Sequence, residues 1–139
     1  MAKVFFDTNV LIYACDQRDP IKQQIAENLL RSHAEDGTGV VSVQTLIEFF
    51  DIGIRKLKLS SQDAKRLANG FLDFELVEAG ASIAMEAMDL VTLHSLSIWD
   101  AMILAAAVTS KCSVVYSEDM QDGFSIRGTT VRNPFVHAE

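Results

Sequence analysis

Short apolar runs alternate along this chain with longer stretches whose apolar residues recur at helical spacing. Lys3 to Phe6 is a β-branched and aromatic run that ends in Asp7-Thr8-Asn9, the signature of a strand running into a loop. Asp19-Pro20 then offers an N-cap followed by proline at the first helical position. Ile21, Ile25, Leu29 and Leu30 continue with helical spacing toward Asp36-Gly37, which predicts a helix over residues 20–35. Gly39 to Ser42 reads as a second strand, and Leu46, Ile47, Phe49, Phe50, Ile54 and Leu57 mark a mostly apolar helix after it. Ser60-x-x-Asp63 resembles a capping box and starts a helix running to about Asp73. Glu75 to Glu78 is the third strand, Ser82 to Leu93 the next helix, and a further helix begins at Ser97 and runs through Ala101 to Val108. Ser113 to Tyr116 is the clearest buried strand and Thr129 to Arg132 the last. Strands alternating with helices predict an α/β fold, a mostly parallel sheet with helices on both faces.

Composition narrows this picture without redirecting it. A chain of 139 residues, 49% hydrophobic with two prolines, has the size and apolar content of one domain spanning residues 1–139. Met1 to Phe6 reaches Asp7 too soon for a signal peptide, and the longest uncharged apolar run, Ala101 to Val108, is too short to cross a bilayer, so a soluble cytoplasmic protein is expected. Cys15 and Cys112 show no Cys-x-x-Cys spacing, and His33, His94 and His137 form no paired ligand motif, which disfavours zinc. A net charge of -7 argues against holding nucleic acid by bulk electrostatics but not against an enzyme that turns it over. Five of the twelve Lys+Arg residues, Arg55, Lys56, Lys58, Lys65 and Arg66, nevertheless fall in one stretch. They serve either as a solvated helix end or as a patch that contacts phosphate.

Four acids fall where a parallel sheet would gather them at one edge. Asp7 and Asp119 follow strands, Asp100 lies in the first turn of its helix, and Glu48 is about one and a half turns into the helix after the second strand. Ligands of such sheets bind outside the carboxyl ends of the strands. Each acid also has a structural reading. Asp7 suits an Asx-turn with Asn9, Glu48 belongs to a polar stripe with Gln44, Asp51 and Arg55, Ser97-x-x-Asp100 matches a capping-box variant, and Asp119 lies in a loop-forming segment. If the four converge, each pair of charges about 4 Å apart costs on the order of 4 kcal/mol at an effective dielectric near 20. Such a cluster must protonate or hold a cation, and a hard divalent ion is the simpler answer.

Taken together, Val4 to Leu11, Ser42 through Glu48, Trp99-Asp100-Ala101 and Ser117-Glu118-Asp119 resemble the four acidic motifs of PIN-domain nucleases. The motifs and the helices between them agree in order over essentially the whole chain, and the likeness is greatest to the small VapC-like ribonuclease toxins of toxin-antitoxin pairs. That resemblance implies a three-layer α/β/α fold with a central parallel sheet of five strands. It further implies an acidic pocket binding Mg²⁺ or Mn²⁺, and endonucleolytic hydrolysis of RNA by activated water that leaves a 5′-phosphate and a 3′-hydroxyl. Carried over by position, Asp7, Glu48, Asp100 and Asp119 become the metal-binding acids, with Asp122 as an extra acid and Thr8, Asn9 and Ser117 as supporting polar groups. Oxygen ligands suit those two metals. Arg55, Lys56 and Lys58 are the expected RNA contacts. A homodimer and a cognate antitoxin that covers the acidic pocket, often with a basic side chain, also follow from the resemblance. Phe49, Phe50 and Phe71 to Phe74 are candidates for those interfaces, with the core as their alternative.

Three other readings compete. A haloacid-dehalogenase-like phosphatase would use Asp7 as nucleophile, but its second acid should stand where this chain has Asn9. A receiver-type signalling domain needs adjacent acids near the first strand, and Asp16 lies too far along the chain from Asp7 to supply the pair. A catalytically silent PIN-like module binding RNA or protein would not require all four acids.

Overall fold

A computed structural model describes residues 2–136, so His137 lies outside the described residues. The strands are β1 (Lys3–Phe6), β2 (Gly39–Ser42), β3 (Glu75–Val77), β4 (Cys112–Tyr116), β5 (Ser125–Ile126) and β6 (Thr129–Arg132). The helices are α1 (Thr8–Tyr13), α2 (Pro20–Asp36), α3 (Val43–Arg55), α4 (Ser61–Gly70), α5 (Ala81–His94) and α6 (Ile98–Thr109). The sheet order is β3-β2-β1-β4-β6-β5. All neighbours are parallel except β5 and β6. The expected five parallel strands are present, and the two-residue β5 makes a sixth, antiparallel edge strand. It was illegible in sequence because two residues carry no period.

Alternation along β1 sorts its side chains to the two faces. Phe5 joins Val40, Val115 and Val131 under α5 and α6, whereas Val4 and Phe6 join Val41 beneath α1, α2 and α3. A central parallel strand covered on both sides by helices reads as a continuous apolar run for this reason. The alanines of α6 are fully or almost fully buried, so this helix can lie close to the sheet. Gly39 serves close packing too: a Cβ there would overlap the Phe74 ring, which also packs on Phe6 at 5.4 Å. No single helix among the described residues is long and apolar enough to cross a membrane.

Local sequence explains the helix starts. Asp19 accepts from the Lys22 backbone N–H with Pro20 behind it, and Gly37 closes α2 at a φ of 70°, a left-handed conformation glycine adopts without strain. Ser60 and Ser97 cap α4 and α6 by accepting from the backbone N–H three residues on. Two expectations are corrected. The loop expected after β1 is α1, entered with no intervening residue except its cap, Asp7. The helix expected to reach Asp73 ends at Gly70, and a 3₁₀ turn covers Phe71–Asp73.

The chain lays β2 and β3 to one side of β1 and, after α5 and α6, lays β4 and β6 to the other. The switch point therefore lies between β1 and β4, and their carboxyl ends form a crevice there.

Candidate active site

Asp7 stands at that crevice because it is at once the residue after β1 and the cap of α1. Its backbone N–H donates to the Tyr116 carbonyl at the end of β4 (3.0 Å), and its Oδ1 accepts from the Thr8 N–H (2.7 Å). Oδ2 accepts from the Ser117 hydroxyl (2.8 Å) and, at 3.4 Å, from the Asn9 amide. The residue is only 7% exposed. Burial raises its carboxyl pKa to about 6, with Glu48 and Asp100 repelling the charge further while the bonds from Ser117 and Thr8 oppose the rise.

The other three acids reach the same place from different elements. Ser42 and Thr45 form a reciprocal capping box at the start of α3: each backbone N–H donates to the other's hydroxyl, at 3.0 and 3.3 Å. That box fixes the helix carrying Glu48. Glu48 accepts from the Thr8 hydroxyl (3.1 Å) and from the Gln44 amide (2.7 Å), and the same amide reaches the Trp99 carbonyl (3.2 Å), tying α3 to α6. Asp100 lies in the first turn of α6. Its pKa is raised, first by burial and then by Asp119 and Glu48, against the effect of the Ser97 hydroxyl. Asp119 is exposed and accepts from the Asn9 amide (3.3 Å).

Asn9 and Ser117 join the two sides of the switch point. Asn9 donates to Asp7, Ser117 and Asp119 and accepts from the Glu118 N–H at 3.1 Å. The fully buried Ser117 hydroxyl, while donating to Asp7, accepts from the backbone N–H groups of Asp119 and Met120. The expected supporting residues thus lie within hydrogen-bond distance of the acids.

All four acids line one cleft of about 280 Å³. Its donors are oxygen, as Mg²⁺ or Mn²⁺ requires. Among the described residues, no three His, Cys, Asp or Glu side chains close around a single metal position. Mg²⁺ does not need such a cage, because it keeps several waters and is held by one or two carboxylates. The donor chemistry therefore fits a hydrated hard cation.

The remaining expected positions separate. Asp122 does not line the cleft, and its Oδ1 accepts from the Asn133 N–H at 2.8 Å. Lys56 lines the cleft, whereas Arg55 pairs with Asp51 (2.7 Å) and borders a neighbouring cavity. Lys58 sits at a φ of 59° in the turn after α3, away from both cavities. Phe49 is fully buried against Phe71 (ring centroids 5.0 Å) and Phe74 packs on Phe6, so these take the core alternative, while Phe50 stays 36% exposed.

Sequence reasoning missed several cleft residues. Tyr13 and Lys22 both engage the Glu118 carboxylate, fastening the loop that carries Asp119 to α1 and α2. Arg18 lines the cleft from the loop between α1 and α2. Trp99, like Gln44, Glu48 and Ile52, lines both the cleft and a second cavity of about 770 Å³, whose other lining residues include Ile47 and Met102. The only linear signals were the adjacency of Glu118 to Asp119 and of Trp99 to Asp100; for Arg18 there was none.

Comparison with known proteins identifies the fold and the family. The PIN domain family profile matches residues 4–124. No curated protein matches the chain. Among solved structures, the fold resembles VapC20 of Mycobacterium tuberculosis, a toxin that cleaves the sarcin-ricin loop, at 18% identity and a TM-score of 0.71 over 84% of this chain and 90% of that one. A toxin-antitoxin complex from Klebsiella pneumoniae is similar at 23% identity and a TM-score of 0.69, covering 95% and 98% of the two chains. DNA-bound VapBC from Salmonella typhimurium is similar at 16% identity and a TM-score of 0.72, covering 96% and 99%. With an acid-lined switch point and a profile match that takes in all four acids, the chain belongs to the PIN domain family.

Proposed function

We propose that the protein is a Mg²⁺- or Mn²⁺-dependent endoribonuclease and the toxin of a toxin-antitoxin pair. The observation that carries this reading is the convergence of Asp7, Glu48, Asp100 and Asp119 on one cleft at the sheet's switch point. Membership in the PIN family and fold likeness to toxins of such pairs support it.

The four carboxylates hold the metal in this proposal, and Asp122 is left out because it lies away from the cleft. A divalent ion held by them would supply Lewis acidity toward water and toward charge developing on the phosphate. This chain's residues do the positioning. Thr8 and Gln44 orient Glu48, Asn9 and Ser117 orient Asp7, and Asn9 also holds Asp119. Lys56 supplies positive charge at the cleft for a neighbouring phosphate.

The partner is an antitoxin whose apolar segment covers the cavity lined by Ile47, Trp99 and Met102 and whose basic side chain enters the cleft. Trp99 and Ile47 are each 64% exposed, the kind of surface a partner covers. A homodimer is proposed on the exposed apolar side of α5, where Met85, Met88 and Leu93 face solvent.

The test is incubation of partner-free protein with end-labelled total RNA and Mg²⁺ or Mn²⁺, beside Asp7→Asn, Asp100→Asn and an EDTA control. Discrete cuts lost in all three are the expected result. Intact RNA with both metals, or an Asp7→Asn protein as active as wild type, overturns the proposal.

A further inference from the structure

Arg18 is 67% exposed and lines the acid cleft, yet it is not free to wander. Asp16, whose side chain is 8% exposed, accepts from Arg18 Nε (2.8 Å) and Nη2 (3.0 Å), a bidentate pairing that fixes the guanidinium plane. The Arg18 backbone N–H also donates to Asp16 (3.1 Å). The pairing runs through Nε and Nη2, which leaves Nη1 outside it and directed away from Asp16. Arg18 and Lys56 are the cations lining this cleft. Other basic residues nearby are engaged elsewhere: Lys22 with Glu118, Arg55 with Asp51 and Arg66 with Asp63.

A buried carboxylate that spends both oxygens on one exposed arginine two residues away does more than close a turn, because the turn needs only the backbone bond. Holding the fork in place removes most of the entropy that a long side chain loses on binding. The fork shape suits a phosphodiester oxygen, and the cleft's own acids exclude an anion from its centre unless cations are loaded. A phosphate contacted by Arg18 therefore lies beside the acids and not among them.

We propose that Arg18, oriented by Asp16, forms with Lys56 a phosphate-binding subsite that grips the RNA backbone next to the scissile linkage. This rests on the ribonuclease reading above and names how that same cleft holds its substrate. Arg18 binds without reacting, and Asp16 acts only through it as a positioning residue. The contact is to backbone and carries no base preference.

Binding of fluorescein-labelled polyuridine of about twelve nucleotides, followed by anisotropy across a salt series, tests this in full-length protein carrying Asp100→Asn to prevent hydrolysis. Adding Arg18→Ala is expected to weaken binding about tenfold and to flatten the salt slope by about 0.7, the loss of one phosphate contact to a single strand. Arg18→Lys keeps the slope but recovers only part of the affinity. Asp16→Asn separates orientation from bulk charge. Removing a carboxylate strengthens RNA binding if Asp16 is only a negative charge, whereas loss of orientation weakens it. In the active protein Arg18→Ala raises KM with little change in kcat. An unchanged slope and affinity in Arg18→Ala, or tighter binding in Asp16→Asn, overturns the subsite while leaving the nuclease reading intact. Failure of the otherwise unaltered Asp100→Asn protein to bind RNA, with wild type cutting none, overturns both.

Discussion

At the scale of single residues, burial acts most plainly on the ionisation of Asp7. Its carboxyl rises from 3.8 to about 6, so its ionisation opposes folding. This group contributes stability that is complete below its unfolded pKa and is lost as pH rises from about 4 through about 6, amounting to roughly 3 kcal/mol. Metal-free protein should therefore gain resistance to denaturant between pH 7.5 and 5 from this residue, and Asp7→Asn should remove that component. Ser117→Ala deletes a buried donor to Asp7 and strands two backbone N–H groups. It should cost about 1–3 kcal/mol and move the Asp7 titration upward, as unfolding curves across pH would show. Asp7 and Asp119 were legible at strand ends and Glu48 and Asp100 in helices that could reach the same sheet edge, but their expected metal-binding role came from the family resemblance. Spacing alone left Asp7 as a turn former and Glu48 as solvent-facing, and both structural readings hold in part: Asp7 does cap a helix, and Glu48 does share its stripe with Gln44. In the proposed function, metal binding is added to a local structural duty.

At the scale of elements, periodicity found the long helices and the five parallel strands because each buries a face large enough to impose its period. It failed at α1 and β5. In α1 the run Val10-Leu11-Ile12-Tyr13 is β-branched and aromatic, with the intrinsic preference of a strand. Burial of Val10 and Leu11 beneath α2 and α3 overrides that preference. The short helix matters because it aims Asp7, Thr8 and Asn9 together. Its far end helps to hold the opposite loop, since Tyr13 of α1 and Lys22 of α2 bind Glu118 beside Asp119. Glu118→Gln should lower kcat roughly tenfold to a hundredfold through misplacement of Asp119 while the unfolding temperature changes little. Unaltered kcat would show that the loop keeps its place without this fastening. Neither Tyr13 nor Lys22 could be paired with Glu118 from sequence, for the contact spans about a hundred residues and depends on β4 lying beside β1.

For the whole molecule, charge and apolar surface divide the work. In the proposed function the net charge of -7 sets a repulsive background against RNA, so binding would depend on cations loaded into the cleft and on those lining it, and cleavage should fall with salt. The apolar cavity beside the cleft instead suits a protein segment. Trp99 is the sole tryptophan of the chain, is 64% exposed and lines both. Its emission should shift to shorter wavelength when an antitoxin covers the cavity and change little on binding Mg²⁺ alone. A spectrum unmoved by a bound antitoxin would place that partner on another face. The strand order was legible in outline from alternating strands and helices, whereas the switch between β1 and β4, which places the cleft, is a property of the complete sheet.

The central claim is that these four carboxylates form a divalent-cation site dependent on Asp7. Calorimetric titration of Mn²⁺ into metal-free protein at pH 7.5 and at pH 5, compared with Asp7→Asn, Glu48→Gln, Asp100→Asn and Asp119→Asn, measures it directly. Saturable binding at pH 7.5, weaker binding at pH 5 where protons compete for Asp7, and loss of binding in Asp7→Asn are the expected results. Absence of saturable binding in wild type, or equal binding in wild type and Asp7→Asn, would contradict the claim.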